Sequence, residues 1–420
     1  MRISYRVLGN VFTLIVLFLS TGAFLSWLVG EGIQGSSEGS PLTEALWALV
    51  YLLVALLAIS MYRQILPLVR ANKCLCIFVL LAIVSAAWSQ DRMGTLRQSI
   101  ALLLTTLFGI EIAVRYSIRE QLRLACIILG SVVLLSVAAQ MLLAGDLPVW
   151  LGAFSNKNTF GRMIVFAAAA FLSRPRHSRR DTLLTVTLMA IAGALVVASH
   201  SAGSLVELIA IVLISWALGA LRWRPSMLIL TVFLSLLIAI PTVYLAMNNL
   251  DRVTAGLGRD SSLTGRTELW RYVADSIASH PILGHGYGVF WEFSSQEATR
   301  IRGAIGWEAP SAHDGYLDLL LDVGLVGLLL YAVAYAVTVR RAVVLFRRGP
   351  ANDMIWPLLL LAEIFLCQIT EASIVTPHST YWIMYVGTVF SVSKPFNVPQ
   401  DRIRDRDPVE SLAEAVLTEV

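Results

Sequence analysis

The segment SAHDGYLDLLLDVGLVG, residues 311–327, places one histidine ahead of three regularly spaced carboxylates. Histidine titrates near neutral pH and is the side chain most often used as a general base. His313 is therefore a candidate for removing a proton from a hydroxyl group. The carboxylates follow at four-residue intervals and fall on one face of a helix: Asp314, Asp318 and Asp322. A lone histidine is more often structural, but a histidine above an acidic stripe favours proton-transfer chemistry.

The same segment contains a helix-start pattern. Ser311 and Asp314 form an S-x-x-D capping motif, which predicts a helix that begins near Ala312. His313 would then lie at the mouth of the helical bundle.

A second candidate site surrounds Arg266, in the stretch SLTGRTELWRYVADSIASHP. Apolar residues at four-residue spacing predict a helix from Gly265 to Ser279, with Thr264 as its N-cap. The free N–H groups at such a helix end favour an anion, whereas a cation there is unfavourable for the helix itself. A phosphate ligand therefore explains Arg266 better than helix stability does, and a solvated arginine is the alternative. Trp270 lies one turn further along the same side.

The stretch GAFSNKNTFGR, residues 152–162, brings two more basic residues to the start of an apolar run. Lys157 lies at the predicted membrane interface, and Arg162 lies about one turn further in. Three interpretations of Arg162 are open. Its side chain snorkels outward, pairs with Asp318, or holds a phosphate at the membrane surface.

The stretch HPILGHGYGVFW, residues 280–291, is rich in glycine. Gly284, Gly286 and Gly288 permit close backbone approach or positive φ, as in an anion-binding turn. A single glycine-rich turn is a weak signal on its own. His280 and His285 in this stretch are expected to be structural rather than catalytic.

The composition determines which elements must position these residues. Of the 420 residues, 57% are hydrophobic and 14% are charged, against roughly 45–50% and about 25% in a soluble protein. With a mean hydropathy of +0.73, a water-soluble enzyme is excluded. The net charge of +4 is too small to indicate a nucleic-acid partner. The cysteines have no zinc-type spacing and predict no disulfide framework: Cys74, Cys76, Cys126 and Cys367.

The apolar runs predict an all-α polytopic membrane protein, since a bilayer-spanning helix needs about 20 apolar residues. Residues 1–394 form one transmembrane domain, interrupted by a long loop at 248–315 and followed by a charged tail at 395–420. Twelve spans are predicted: 7–29, 42–62, 74–89, 95–114, 124–143, 159–173, 182–198, 203–220, 227–247, 316–339, 355–370 and 380–394.

The distribution of Lys and Arg sets the predicted orientation, because short cytoplasmic loops retain positive charge. With the N-terminus inside, every inside segment carries a basic cluster, including RPRHSRR (174–180) and RRAVVLFRR (340–348). Both termini are therefore predicted to be cytoplasmic. Ten further basic residues lie on or near the outer face and indicate an anionic ligand there: Arg92, Arg97, Lys157, Arg162, Arg252, Arg259, Arg266, Arg271, Arg300 and Arg302.

The long outer loop at 248–315 contains seven aromatic residues, which argue against disorder. Aromatic faces suit stacking on sugar rings, and a small packed cap is the alternative. The seven are Trp270, Tyr272, Tyr287, Phe290, Trp291, Phe293 and Trp307.

At these motifs the sequence resembles the O-antigen ligase/polymerase superfamily of bacterial membrane glycan enzymes. Three motifs occur in the family's order: F-x-N-K-N-x-x-G (154–161), T-G-R-T-x-x-W…H-P-I-L-G-x-G (264–286) and A-H-D-x9-G-x-x-G (312–327). The segment AAWSQD (86–91) is also similar to the family. The stretches W-x-F and EAPSAHDGYLD are most similar to the exopolysaccharide-production, polymerase-like branch.

The resemblance implies a glycosyltransferase of the membrane GT-C type, located in the bacterial inner membrane with its active site facing the periplasm. Its donor would be a polyprenyl-pyrophosphate-linked oligosaccharide, and its acceptor a glycan or lipid-linked glycan. No cofactor, metal or nucleic acid is expected. Besides membrane lipid, components of a glycan-assembly complex are possible partners.

The resemblance also implies roles for particular residues. Arg266 and Arg162 would grip the pyrophosphate leaving group with paired hydrogen bonds, and His313 would be the base for the acceptor hydroxyl. The expected substrate-binding residues are Lys157, Asn158, Trp270, Gly284, Gly286, Tyr287 and Asp314.

One segment departs from the family pattern. Family members often have an arginine after the small polar residues that open the eighth span, but SHSAGS (199–204) has none, and His200 is the nearest basic residue. Either Arg97 or Arg252 substitutes, or the phosphate site differs.

The sequence leaves one leading hypothesis for the function and three alternatives. A polymerase that joins lipid-linked repeat units is the leading hypothesis, and a ligase that moves finished glycan onto lipid A–core or another acceptor would share its chemistry. A transporter or flippase belongs to a different class, but transporters place their sites near the membrane midplane. A structural partner within a glycan-assembly complex is the last alternative.

Overall fold

A computed structural model describes residues 5–24, 41–143, 150–223, 262–348, 354–371 and 375–394 of the chain. Within these ranges the protein is helical and contains no strand, so the all-α prediction is confirmed for them. The helices are α1 (Tyr5–Ser20), α2 (Pro41–Ser60), α3 (Tyr62–Ala71), α4 (Lys73–Val84), α5 (Arg92–Arg115), α6 (Ile118–Leu143), α7 (Lys157–Leu172), α8 (Arg179–Ala198), α9 (Ala202–Trp223), α10 (Ser262–Ser279), α11 (Gln296–Ile305), α12 (Gly315–Arg348), α13 (Trp356–Thr370) and α14 (Thr380–Ser391).

Six described helices are long and apolar enough to cross a membrane: α2, α5, α6, α8, α9 and α12. The pair α3–α4 would add a seventh span if it counts as one, although the two helices are bent by 99°. Residues 7–20 and α13 are shorter apolar helices. The predicted span 227–247 lies outside the described residues, so the number of twelve spans stays a prediction.

Two short helices form the centre of the bundle. In α14 every residue from Thr380 to Ser391 is buried, and in α7 the residues from Phe160 to Phe171 are buried on all sides. Burial on every side places both helices in the interior of the bundle, and the four alanines 167–170 let neighbouring helices approach α7 closely. The predicted spans 159–173 and 380–394 therefore correspond to interior helices that other helices surround.

Helix α12 is broken at Gly324, whose backbone has φ 63° and ψ −167°. This conformation is essentially restricted to glycine. The break leaves backbone groups of α12 without helical partners, and the segment 281–286 forms hydrogen bonds with these groups. The hydrogen bonds are His285 N to Leu321 O (2.7 Å), Gly286 N to Asp322 O (3.0 Å), Leu325 N to Pro281 O (2.9 Å) and Val326 N to Ile282 O (3.2 Å). Such pairing satisfies backbone groups that apolar surroundings would otherwise leave without partners.

Helices α10 and α11 pack into a small cap beside the start of α12. Its apolar core consists of Leu269, Val273, Phe290, Ile301, Ala309, Ala312 and Leu321. The predicted helix at Gly265 to Ser279 is confirmed, but it begins earlier, at Ser262. Thr264 is therefore not the N-cap and lies in the first turn. Aromatic residues of the loop pack into or against this cap, whereas Phe293 and Trp307 are exposed. Residues 248–261 lie outside the described part.

Candidate functional site

His313 lies on a strained turn immediately before α12. Its φ is 50°, a left-handed conformation that is uncommon for residues other than glycine. The predicted S-x-x-D cap is wrong in detail, since the helix begins at Gly315 rather than near Ala312. Asp314 is itself the cap. Its Oδ1 accepts hydrogen bonds from the N–H groups of residues 316 (2.9 Å) and 317 (3.0 Å), and burial raises its pKa.

The backbone on the other side of His313 is also held firmly. Trp270 donates its Nε1–H to the carbonyl of Ala312 over 2.8 Å. The carboxylate of Asp318 accepts from the N–H of Ala312 (3.1 Å) and from Nε1 of Trp291 (2.7 Å). Asp318 is therefore occupied by the cap, so the alternative in which it pairs with Arg162 is not what the structure contains.

Four residues from separate parts of the chain meet at one carboxylate, and we call them the Glu371 cluster: Asn158, Arg266, His313 and Glu371 itself. Nδ1 of His313 lies 3.1 Å from Oε2 of Glu371. On the other oxygen, Oε1, Asn158 donates its Nδ2–H over 3.1 Å, and NH2 of Arg266 lies 3.5 Å away.

Glu371 is well shielded, with 12% of its side chain exposed. Burial on its own raises the pKa of a carboxyl group. The hydrogen bond from His313 and the charges of two nearby arginines, Arg162 and Arg266, outweigh it, so the pKa of Glu371 is lowered. The cluster therefore holds a fixed negative charge beside the histidine.

Arg266 connects the start of α10 to the end of α13. Besides its contact with Glu371, its NH1 donates to the carbonyl of Thr370 over 3.2 Å. With 26% of its side chain exposed, it remains accessible from outside the protein. A guanidinium has five N–H donors, so these contacts leave donors for a ligand.

Arg162 is buried, with 8% of the residue exposed, so the snorkelling interpretation is wrong. Its Nε donates to the carbonyl of Asn158 (3.3 Å) and its NH2 to Oγ1 of Thr159 (3.3 Å). Its charge acts on three buried carboxyl groups, which belong to Glu207, Glu363 and Glu371. Arg162 therefore lies beneath the Glu371 cluster, on the side of the bundle interior.

The motif around Asn158 brings α7 against the start of α9. A Cβ added at Gly161 would lie 2.5 Å from Oγ of Ser204, so only glycine allows this approach. Oγ of Ser201 then donates to Oδ1 of Asn158 over 3.1 Å. The segment SHSAGS thus supports the cluster through serine. Lys157 is the first residue of α7, half-buried beside Asn158.

Of the two proposed substitutes for the missing arginine, Arg97 is not part of the Glu371 cluster. Arg97 lies 3.6 Å from Glu44 and 4.0 Å from Glu292, and 64% of its side chain is exposed. Arg252 lies outside the described residues.

The glycine-rich turn has a structural role in this protein. The N–H of Gly284 donates to the carbonyl of His280 (3.1 Å), that of Gly286 to Asp322 (3.0 Å), and that of Tyr287 to Oγ of Ser85 (3.0 Å). The hydrogen bond from Gly286 helps to close the break in α12, and all three N–H groups have protein acceptors, so they are not donors to an anion. The hydroxyl of Tyr287 donates to the carbonyl of residue 375 over 3.0 Å, which anchors the segment after Glu371.

Both histidines of this turn have protein partners, as predicted. Nε2 of His285 lies 3.0 Å from the carbonyl of Ser276, and burial lowers its pKa. Nδ1 of His280 lies 2.9 Å from Oγ of Ser279.

Glu371 was not among the site residues predicted from the sequence. The residue ends an apolar helix, α13, at the face where the predicted topology gathers unexplained basic residues. An acidic residue at that position was the available signal. Its partner Asn158 is 213 positions away in the chain, and no local sequence pattern predicts a contact between residues so far apart.

The described ranges contain no group of three or more His, Cys, Asp or Glu residues placed to hold a metal ion. The expectation of metal-independent chemistry stays a prediction.

Fold and composition define an all-helical multi-pass membrane protein with a charged cluster at one end of its bundle. Residues 187–332 match the family model described as O-antigen ligase. The matched region contains Arg266 and His313. A curated relative, the exopolysaccharide production protein ExoQ of Rhizobium meliloti (strain 1021), is 34% identical over 83 residues, which are 19% of this chain and 19% of that protein.

These matches confirm the resemblance to the O-antigen ligase/polymerase superfamily and to its exopolysaccharide-production branch. The matched stretch spans about a fifth of the length of ExoQ. A chain from a solved structure, titled "Structural coordination of polymerization and crosslinking by a peptidoglycan synthase complex", has a TM-score of 0.42 and 17% identity, over 80% of this chain and 98% of that one. A TM-score this low does not establish a shared fold.

Proposed function

We propose that this protein is a GT-C-type membrane glycosyltransferase. It polymerises polyprenyl-pyrophosphate-linked repeat units of an exopolysaccharide or O-antigen, without a metal, at the Glu371 cluster. The observation that carries the proposal is the convergence of Asn158, Arg266 and His313 on one buried carboxylate. The packing of apolar side chains does not require four distant segments to bring polar and charged side chains together. A catalytic site does require such a convergence.

His313 is the base for the acceptor hydroxyl. A neutral imidazole that donates Nδ1–H to Glu371 has Nε2 as its proton acceptor. The carboxylate fixes this tautomer and ring orientation, and it stabilises the imidazolium once the proton is taken up, as in other carboxylate–histidine pairs. With 17% of its side chain exposed, His313 is accessible to a substrate.

The arginines act on the leaving group. When the acceptor oxygen bonds to the anomeric carbon of the donor, the bond from that carbon to the phosphate oxygen breaks, and its electron pair leaves with the lipid pyrophosphate. Arg266 binds the phosphate oxygens directly. Arg162 contributes positive charge from beneath the site, and Lys157 binds at its edge. The proton of the acceptor hydroxyl goes to His313.

The inner membrane, cytoplasmic termini and a periplasmic active site complete the proposal. The predicted twelve-span topology assigns four of the residues discussed above to one face of the membrane: Asn158, Ser201, His313 and Glu371. These residues contact each other or share a partner, which supports the proposal. Cysteine labels at residue 300 should react from the periplasm, and labels at residue 178 only from the cytoplasm. The reverse pattern would contradict the topology.

Reconstitution distinguishes the polymerase from the ligase. The purified protein is placed in liposomes with a pyrophosphate-linked repeat unit, and lipid A–core is added to half of the samples. A ladder of lipid-linked products without lipid A–core indicates a polymerase. Transfer that requires lipid A–core indicates a ligase. If no product forms in either sample although the native substrates are confirmed, the glycosyltransferase proposal is rejected in favour of a transporter or scaffold.

A further inference from the structure

Trp307 lies against the candidate base. Its indole ring and the imidazole of His313 have centroids 5.8 Å apart and planes inclined by 29°. The two rings are thus nearly parallel and offset. One face of the indole is turned towards His313, and the opposite face is turned away from it.

Burial does not explain this tryptophan. Trp307 is 36% exposed, although indole is among the most apolar surfaces that a side chain can offer. The aromatic residues that hold the cap together are much more buried, as Phe290 illustrates at 3%. An exposed tryptophan next to a polar site is typical of ligand contact.

The segment that carries Trp307 is rigid. It follows α11, which ends at Gly306 in a left-handed C-cap whose N–H donates to the carbonyl of Arg302 over 2.9 Å. The buried guanidinium of Arg302 then donates to the carbonyls of Ala309 (3.0 Å) and Trp291 (2.6 Å). Trp307 is therefore presented in a fixed position before any ligand binds, which lowers the entropic cost of binding.

We propose that Trp307, through the indole face turned away from His313, is a subsite for a sugar ring of the acceptor glycan. The inference deepens the proposed function and rests on it. The C–H groups of a pyranose face carry partial positive charge and are attracted to the negative face of an aromatic ring. Indole also offers a large, rigid contact surface with few rotatable bonds.

The geometry selects which sugar binds there. His313 lies on one side of the indole at 5.8 Å, and a stacked ring adds roughly 4.5 Å on the other side. The stacked sugar is then too far away to present its own hydroxyl to the imidazole. The subsite therefore takes the residue next to the reacting one, so it distinguishes an extended acceptor from a single sugar.

Steady-state kinetics of Trp307→Ala and Trp307→Phe, with a one-sugar and an extended lipid-linked acceptor, test the inference. We expect Trp307→Ala to raise KM for the extended acceptor about tenfold while kcat and the one-sugar KM stay near wild type. Trp307→Phe should restore most of the affinity. Arg300→Ala is the control, since Arg300 lies in the same cap, has 60% of its side chain exposed and pairs with Glu297.

Calorimetric titration with the extended acceptor glycan separates this inference from the proposed function, because it requires no turnover. If no variant transfers glycan but Trp307→Ala alone loses binding, the subsite stands and the transferase proposal fails. If transfer is normal and KM is equal in Trp307→Ala and wild type, the subsite is refuted. A fall in kcat with an unchanged KM for both acceptors would also overturn it, because the tryptophan would then only support His313.

Discussion

Replacing Glu371 with glutamine removes the negative charge that His313 and Arg266 share and keeps the size of the side chain. The hydrogen bond from His313 is 3.1 Å long, and Glu371 is only 12% exposed, so solvent screens it little. A hydrogen bond to a charged group contributes about 1.5–3 kcal/mol, and each 1.4 kcal/mol is about a factor of ten. If the bond strengthens as His313 takes up the proton, kcat should fall roughly 10- to 150-fold.

The assay is the initial rate of product formation in proteoliposomes, at saturating and limiting donor. Glu297→Gln is the matched control, because it removes the partner of Arg300 from an exposed pair at 2.8 Å on α11, and exposed pairs contribute little. A wild-type kcat in Glu371→Gln, with normal protein levels, would refute the idea that this carboxylate acts through His313.

The stability difference between wild type and Glu371→Gln should also depend on pH. The pKa of Glu371 is lowered from 4.5, so its ion pairs stabilise the folded state above that value. This contribution is lost as the pH falls through the lowered pKa. The Tm difference, measured in detergent, should therefore be present at about pH 5 and shrink at lower pH.

Three further predictions concern the elements that position the cluster. Gly324→Ala should destabilise the protein by at least about 1–3 kcal/mol, measured as Tm and membrane yield, because its backbone has φ 63° and an added Cβ would meet the backbone of residues 282 and 283. Asp314→Asn should retain activity, since asparagine caps helices as well as aspartate does, whereas Asp314→Ala should cost about 0.5–2 kcal/mol and reduce transfer. Burial lowers the pKa of His378 from 6.5 to about 4, so the unfolded chain binds a proton there more readily than the folded protein does. The free energy of unfolding should therefore fall by about 3 kcal/mol as the pH is lowered from 6.5 to about 4, and His378→Gln should remove that loss.

Each of these predictions has a clear contrary result. For Gly324 the matched control is Gly303→Ala, where an added Cβ meets nothing within 4 Å, and equal Tm values in the two variants would contradict the strain argument. Equal activity in the asparagine and alanine variants of Asp314 would show that the cap does not position His313. An unchanged pH slope in His378→Gln would assign the loss of stability to other groups.

The helices of this protein were predictable because apolar runs and four-residue spacing report local structure directly. The helix at residues 262–279 illustrates this, since its apolar stripe at Leu269 and Val273 is the buried face of the cap. Its first residue was misplaced because helix ends depend on single capping contacts, and the same is true of the start of α12.

The break at Gly324 was not predictable in the same way. Residues 323–339 of α12 contain no charged side chain, and glycine within such a run is common in membrane helices. What makes the break stable is the segment 281–286, which lies about 40 positions earlier in the chain and pairs with it. The glycines of that segment were interpreted as an anion-binding turn, because spacing alone does not distinguish the two uses.

The candidate site was predicted in part. His313, Arg266 and Asn158 were identified from their residue types and motif positions, and the structure brings them together. Glu371 was missed because a single carboxylate after an apolar helix has no local pattern. Its significance comes from the three partners that only the fold supplies.

The most direct test of the central claim is glycan transfer by His313→Gln and Arg266→Ala in proteoliposomes that contain a pyrophosphate-linked repeat unit. Arg300→Ala is the control, since its side chain is 60% exposed and lies outside the cluster. We predict that both cluster variants reach wild-type membrane levels and form no detectable product, while Arg300→Ala stays fully active. Full activity in either cluster variant would contradict the proposed function and remove that residue from the mechanism.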